Sequence, residues 1–207
     1  MDCARCARLV AYRAENRRAQ PAWVNAPVPS CGDPKARLLI VGLAPGRGGA
    51  NRTGIPFFGD ASGHMLHSTL AAFGWTQGPF YPDAIAPPQL VGAMITNAVR
   101  CAPPGNRPTA SEIAACAPFL SATLAQLDTL SVVLALGRVA HEACLRALKT
   151  RPSTRPFAHG AVHHLGALVL VDSYHCSRLN TNTGRLTEDM FDAVFATIAG
   201  ILAQPLD

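Results

Sequence analysis

One carboxylate, Asp60, stands inside a glycine-rich stretch that reads GLAPGRGGANRTGIPFFGDASG over residues 42–63. A carboxylate in such a loop can hold a water molecule or face a developing positive charge. It can equally accept the first backbone N–H groups of a helix beginning beside it, because Asp is a favoured N-cap. Two adjacent phenylalanines, Phe57 and Phe58, share the stretch. So many glycines suggest a backbone cradle for phosphate, or a turn that needs glycine for steric reasons alone. The fingerprints GxGxxG and GxxxxGK[ST] are both missing here, which weakens a nucleotide-binding reading. Farther along, Asn97 carries a planar amide with one acceptor and two donors. His175 opens the hexapeptide HCSRLN. An isolated histidine is more often a hydrogen-bonded structural residue, but at a strand end it is a candidate donor.

Seven cysteines form the second set of reactive groups. Cys3 and Cys6 make a CxxC; Cys101 and Cys116 follow with fourteen residues between them. Four thiolates hold either an iron–sulfur cluster or a zinc ion, and spacing alone does not choose. Cys31, Cys144 and Cys176 fall outside the pattern. His64 and His67 share one helix face without a third ligand. The N-terminus is charged from the start and lacks the apolar centre of a signal peptide, so the cytoplasm is the expected location. In that reducing setting motif-spaced cysteines point to metal or catalysis rather than disulfides.

The elements that must position these groups follow from the apolar pattern. ARLLIVGLAPG is a continuous apolar run ending in glycine and proline, as a buried parallel strand does when it enters a functional loop. Residues 94–99, 131–136 and 167–172 read as three more strands. A short helix is expected within 1–20, and residues 21–35 and 151–159 read as loops, with His163 and His164 in a turn. Residues 61–73 have helical spacing and stop at Gly74. Thr109 and Glu112 form a capping box that opens a helix to about residue 127. Further helices are expected over 139–148 and from Thr187 to about residue 202. The alternation predicts a three-layer α/β/α fold with a central, mainly parallel four-stranded sheet, one domain over residues 1–207. Ligands of such sheets sit at the carboxyl ends of the strands, where the loops carrying Gly42, Asn97 and His175 converge.

The chain has 207 residues, 49% apolar, enough for one sizeable core. Its apolar runs are too short to span a bilayer, so no membrane association is expected. The net charge of +5 suits a polyanionic partner without identifying one.

Four segments, in order, resemble the uracil-DNA glycosylase superfamily, closest to its family-five, broad-specificity, iron–sulfur branch. GLAPG with NRTGIPFFGDASG is similar to the first motif. RCAPPGNRP, with Cys116 beyond it, resembles the cluster segment; HCSRLN with TNTGRL resembles the second motif; Cys3 and Cys6 complete the set. The resemblance implies a monofunctional, monomeric glycosylase that releases uracil, and deaminated purines, from DNA. It implies a [4Fe–4S] cluster on Cys3, Cys6, Cys101 and Cys116. His175 becomes the donor to the departing base and Asn97 the reader of its edge. Phe57 becomes the stacking platform, with the backbone of Gly42, Leu43, Ala44, Pro45 and Gly46 close to the nucleotide. Asp60 stays open between catalysis and helix capping. In the related family-four motif a glutamate stands where this chain has Leu43, so that side chain cannot orient water. Asn51 and Arg52 support the loop or touch DNA. Ser177, Arg178 and Leu179 face DNA, the last two as a wedge for the vacated base stack. HCS in place of HPS is the main departure in the second motif. The rival reading is an iron–sulfur module that binds nucleic acid without catalysis.

Overall fold

In the computed structural model, which describes residues 2–204, six strands form one sheet. They are Cys31–Gly32 (β1), Leu38–Gly42 (β2), Ala93–Asn97 (β3), Val132–Leu136 (β4), Val162–Leu165 (β5) and Leu168–Ser173 (β6). Their spatial order is β1-β3-β2-β4-β6-β5. The central four run parallel, and β1 and β5 close the two edges antiparallel. Every residue of β2 and of β4 is buried, as strands covered on both faces must be. The parallel centre matches the sequence expectation; the count does not, because the sheet is mixed and has six strands. β1 is two residues long inside a proline-rich loop. β5 contains the pair expected to lie in a turn, His163 and His164, whose side chains alternate buried and exposed.

Seven α-helices accompany the strands: Ala7–Ala19 (α1), Ala50–Thr53 (α2), Ala61–Ala72 (α3), Ala110–Gln126 (α4), Arg138–Ala147 (α5), Arg178–Asn182 (α6) and Glu188–Ala203 (α7). Alternate strand residues serve opposite faces. Leu38, Ile40, Leu134 and Val171 meet Leu66 and Leu70 of α3 and Phe191 and Phe195 of α7. Leu39, Val41, Val133 and Leu170 meet Leu120 of α4 and Cys144 and Leu145 of α5. Each such side chain withdrawn from water contributes about 1.5–3 kcal/mol. From β2 the chain moves outward to β3, then returns past β2 to β4. The parallel strands therefore reverse direction of winding between β2 and β4, where crevices open at the carboxyl ends.

The helix α1 differs from the others. Leu9 is its one buried apolar side chain, and Arg13 and Asn16 are buried beside it. Arg8 forks onto Glu112 at 2.8 and 2.6 Å, Arg13 donates to the Cys3 carbonyl at 2.9 Å, and Arg17 reaches Asp2 at 2.6 Å. No helix of the described residues is long and apolar enough to cross a membrane.

Candidate active site

A cleft of about 460 Å³ opens where β2, β3 and β6 end. Gly42 lies beneath it, opposite Asn97 in the β2–β3 register. A Cβ at Gly42 would stand 2.5 Å from both Asn97 Oδ1 and the Phe57 ring. Only glycine lets the amide and the ring press directly on this strand end. Asn97 is 5% exposed, and its Oδ1 is buried without a partner. Phe57 stacks on His175 with ring centroids 5.6 Å apart at 28°. Its φ of 52° is left-handed, a conformation that costs on the order of 1–3 kcal/mol and persists where neighbours enforce it. One such neighbour is the first turn of α3: a Cβ at Gly63 would meet the Phe57 carbonyl oxygen at 2.1 Å.

Asp60 does two things at once. Its Oδ1 accepts from Gly63 N at 3.0 Å and caps α3. Its Oδ2 lies against the glycine loop, 3.1 Å from where a Cβ would be at Gly46 and 2.1 Å at Gly49. These glycines make room for a carboxylate, and Asp60 lines the cleft. His175 follows β6, its carbonyl held by Asn180 Nδ2 at 2.8 Å. Burial pushes the imidazole below its ordinary value, opposed by the Asp60 carboxylate, so it enters the neutral pH range uncharged. Its Nδ1 is buried with no partner. Orphaned polar atoms on Asn97 and His175, both inside one cleft, are where a ligand's hydrogen-bonding groups belong.

Leu43, Ala44, Pro45 and Gly46 form one wall, and Ser177 and Leu179 stand at the opening, Leu179 at 74% exposure. Arg178 is exposed on α6. Arg52 is exposed and ties the loop across its neck, to the Gly48 carbonyl at 2.8 Å and the Gly59 carbonyl at 3.1 Å. Asn51 is not a surface residue: it is 2% exposed and donates to Asn25 Oδ1 at 2.8 Å. It braces the loop from inside, the supporting one of its two expected roles, and its buried side chain offers no surface to DNA. The cleft also gathers Ser62, Asn106 and Arg107, which the sequence did not single out. Gly105 and Asn106 take left-handed backbone, and that Pro-Gly-Asn turn was the available signal.

Cys3, Cys6, Cys101 and Cys116 line a second cavity of about 330 Å³. Arg13 Nη1 donates to Cys101 Sγ at 3.4 Å and Arg100 N to Cys116 Sγ at 3.3 Å. Burial raises the thiols of Cys6 and Cys116 and pushes Cys101 up to about 11. Cys176 is buried, is pushed up to about 12, and donates to the Ser62 carbonyl at 3.4 Å. It ties the His175 loop to α3 and offers no nucleophile.

Fold and site together define an α/β protein with a cleft lined by aromatic and hydrogen-bonding side chains at the carboxyl edge of its parallel strands. Residues 29–199 match the Uracil DNA glycosylase superfamily, and the chain belongs to that family. It is 48% identical over 198 residues to the type-5 uracil-DNA glycosylase of Thermus thermophilus, covering 91% of this chain and 89% of the relative. The type-5 enzyme of Mycobacterium bovis is 43% identical, covering 93% of this chain and 75% of the relative. The type-5 enzyme of Pyrobaculum aerophilum is 40% identical, covering 96% and 88%.

Proposed function

We propose that this chain is a monofunctional uracil-DNA glycosylase of DNA repair, which hydrolyses the bond between uracil and deoxyribose and leaves an abasic site. The observation that carries the reading is the meeting of Asn97, Phe57, Asp60 and His175 in one cleft. A base inside a duplex is out of reach, so the nucleotide must swing out into the pocket. Phe57 offers its face to the base, a contact worth about 1–3 kcal/mol. Asn97 reads an edge with a carbonyl beside an N–H. Uracil has that edge, as do hypoxanthine and xanthine, and cytosine presents the reverse. As the C1′–N1 bond breaks, its electron pair passes to the ring and gathers on the carbonyl oxygens. Neutral His175 donates a hydrogen bond there, stronger in the transition state than in the ground state. Asp60 Oδ2 faces the sugar carbon as it turns positive and takes the proton of the water that adds to C1′. Leu43 supplies wall and backbone only, so the carboxylate comes from Asp60.

Four thiols around one cavity suit a [4Fe–4S] cluster held by Cys3, Cys6, Cys101 and Cys116. A zinc ion would draw its sulfurs to about 3.8 Å from one another. Among the described residues the one set of three ligand-type side chains with atoms within 4.8 Å of each other is His141, His163 and Asp172. No three of the four thiols meet that spacing among the described residues, a looser arrangement than one zinc ion imposes and one that suits the larger cluster. Such a group would fasten α1 to the segment after β3. The DNA lies, in this reading, across the cleft mouth, with Leu179 entering the vacated stack and Arg178, Arg52 and Arg107 near phosphates.

The test is excision from a duplex oligonucleotide carrying one uracil, followed by alkaline cleavage of abasic sites. Wild type should cut; Asp60→Asn and His175→Ala should fall by about 10²-fold or more. A protein that binds the oligonucleotide and releases neither uracil, hypoxanthine nor xanthine is a binding module, and the proposal fails.

A further inference from the structure

Away from the cleft, three titratable side chains meet in the interior: Asp172 on β6, His141 on α5 and His163 on β5. Asp172 is fully buried, and His141 and His163 are 1% and 9% exposed. Asp172 Oδ1 lies 2.7 Å from His141 Nδ1, and Oδ2 lies 3.0 Å from His163 Nε2. The other nitrogen of His141, Nε2, lies 2.8 Å from the carbonyl of Arg155.

These contacts fix a proton count. A carbonyl only accepts, so His141 Nε2 carries a proton. An ionised Asp172 only accepts as well, so His141 Nδ1 and His163 Nε2 each carry one. His141 is then protonated on both nitrogens. Should Asp172 instead hold the proton it shares with Nδ1, the total is unchanged. In both arrangements the cluster holds one proton more than a carboxylate beside two neutral rings. The extra proton brings the cluster to zero net charge, which a fully enclosed carboxylate needs. The 2.7 Å contact has the length of a charge-assisted N–H···O bond. Two ligands of one tetrahedral zinc would stand about 3.3 Å apart. The 2.7 Å separation is that of two atoms sharing a proton rather than of two ligands of one zinc ion.

We propose that this proton-holding lock positions His175, making Asp172 and His141 positioning residues for base release. Asp172 is three residues upstream of His175 on the same run of chain. The backbone between them is clamped throughout. Gly160 N donates to the Asp172 carbonyl at 2.8 Å, Gly137 N to the Ser173 carbonyl at 2.8 Å, and Tyr174 N to His159 Nδ1 at 3.1 Å. The lock fastens the end of β6 to β5 on one side and to α5 above the sheet. A packing route also leads outward: Phe157 sits edge-on to His141 at 5.7 Å and against Tyr174, the neighbour of His175, at 6.1 Å. Release of the lock frees β6 to shift, and the His175 ring leaves its place against Phe57.

The proposal rests on His175 acting as the donor to the departing base. Three measurements on the intact protein test it. Proton–nitrogen correlation spectra of the histidine rings, with the carboxyl carbon resonance of Asp172, should show the extra proton, either as a second proton on His141 or on the Asp172 carboxyl. Single-turnover excision by Asp172→Asn and His141→Gln should slow about ten- to a hundredfold, the cost of a small misplacement, with oligonucleotide affinity unchanged. His163→Gln leaves the His141–Asp172 pair intact and should slow it less. One proton on His141 together with an ionised Asp172, or a zinc ion that copurifies and is lost from Asp172→Asn, would overturn the proposal. So would folded variants that excise at the wild-type rate. Full activity in His175→Ala would remove the reading beneath it, while the ring spectra still report the proton count independently. If Asp172→Asn does not fold, the wild-type spectra and His141→Gln carry the decision.

Discussion

Gly49→Ala moves Asp60 without changing it. The new Cβ would stand 2.1 Å from Oδ2 and 2.7 Å from Cγ, where ordinary contact begins near 3.4 Å. The carboxylate must retreat by about 1.3 Å, the shortfall at Oδ2. It is tethered on its far side by the 3.0 Å bond from Gly63 N to Oδ1, so it cannot simply translate. It turns away from the cleft or gives up the cap. A displacement of about 1 Å in a reacting group costs on the order of a hundredfold in rate. That corresponds to about 2.7 kcal/mol of barrier. Loss of the cap would add about 1 kcal/mol of instability. Gly48→Ala is the control, because a Cβ there meets nothing within 4 Å. The assay is single-turnover uracil release at saturating enzyme, with thermal unfolding measured on the same samples. The expected result is slow chemistry in Gly49→Ala, at most a small fall in Tm, and an unaffected Gly48→Ala. Wild-type rate in a folded Gly49→Ala would refute the claim that the position of this carboxylate sets the rate.

Three further outcomes are expected. His67 is 1% exposed, both its nitrogens lack partners, and burial lowers it from 6.5 to about 4. The unfolded chain therefore binds a proton between these values that the fold refuses. Stability should fall by about 3 kcal/mol as pH drops from 6.5 toward 4, and urea titrations of His67→Leu should lack that slope. Cys116→Ser should lose iron and acid-labile sulfide together and lower the Tm; full occupancy by zinc in the wild type would contradict the cluster. Leu179→Ala should leave the Tm unchanged, since the side chain is 74% exposed, yet slow excision from duplex about tenfold while sparing single strands, which need no wedge.

Much of this architecture is legible in the sequence because the four parallel strands are apolar over most of their length, with polar residues only toward the carboxyl ends of β3 and β6. The edges are not. Two residues at Cys31 and Gly32 carry no period at all, and VHHL reads as polar until Asp172 is seen to receive His163. A buried histidine in a strand is intelligible only with its partner, which lies nine positions away across a turn. The site shows the same division. Asp60, Asn97, Phe57 and His175 stand at strand ends or in the long loop, where types and spacing expose them. The purpose of Gly46 and Gly49 is hidden, since both phosphate cradles and carboxylate seats ask for glycine. The choice for Asn51 between bracing the loop and touching DNA is hidden too, because nothing local reveals Asn25, twenty-six positions upstream, as its hydrogen-bond partner.

The docking of α1 by arginines has a consequence for ionic strength. Screening shortens from about 8 Å at physiological salt to about 3 Å at 1 M. The exposed Arg17–Asp2 pair weakens first, and the half-exposed Arg8 loosens from Glu112 after it. Cys3 and Cys6 stand at the start of that helix, so salt relaxes the hold on two of the four thiols. Salt also weakens any contact with phosphate. A fall in activity with added salt therefore sums two losses, one at the DNA and one inside the protein. A salt slope for this enzyme counts phosphate contacts only over the range in which α1 stays docked, a range that amide hydrogen exchange along α1 can define.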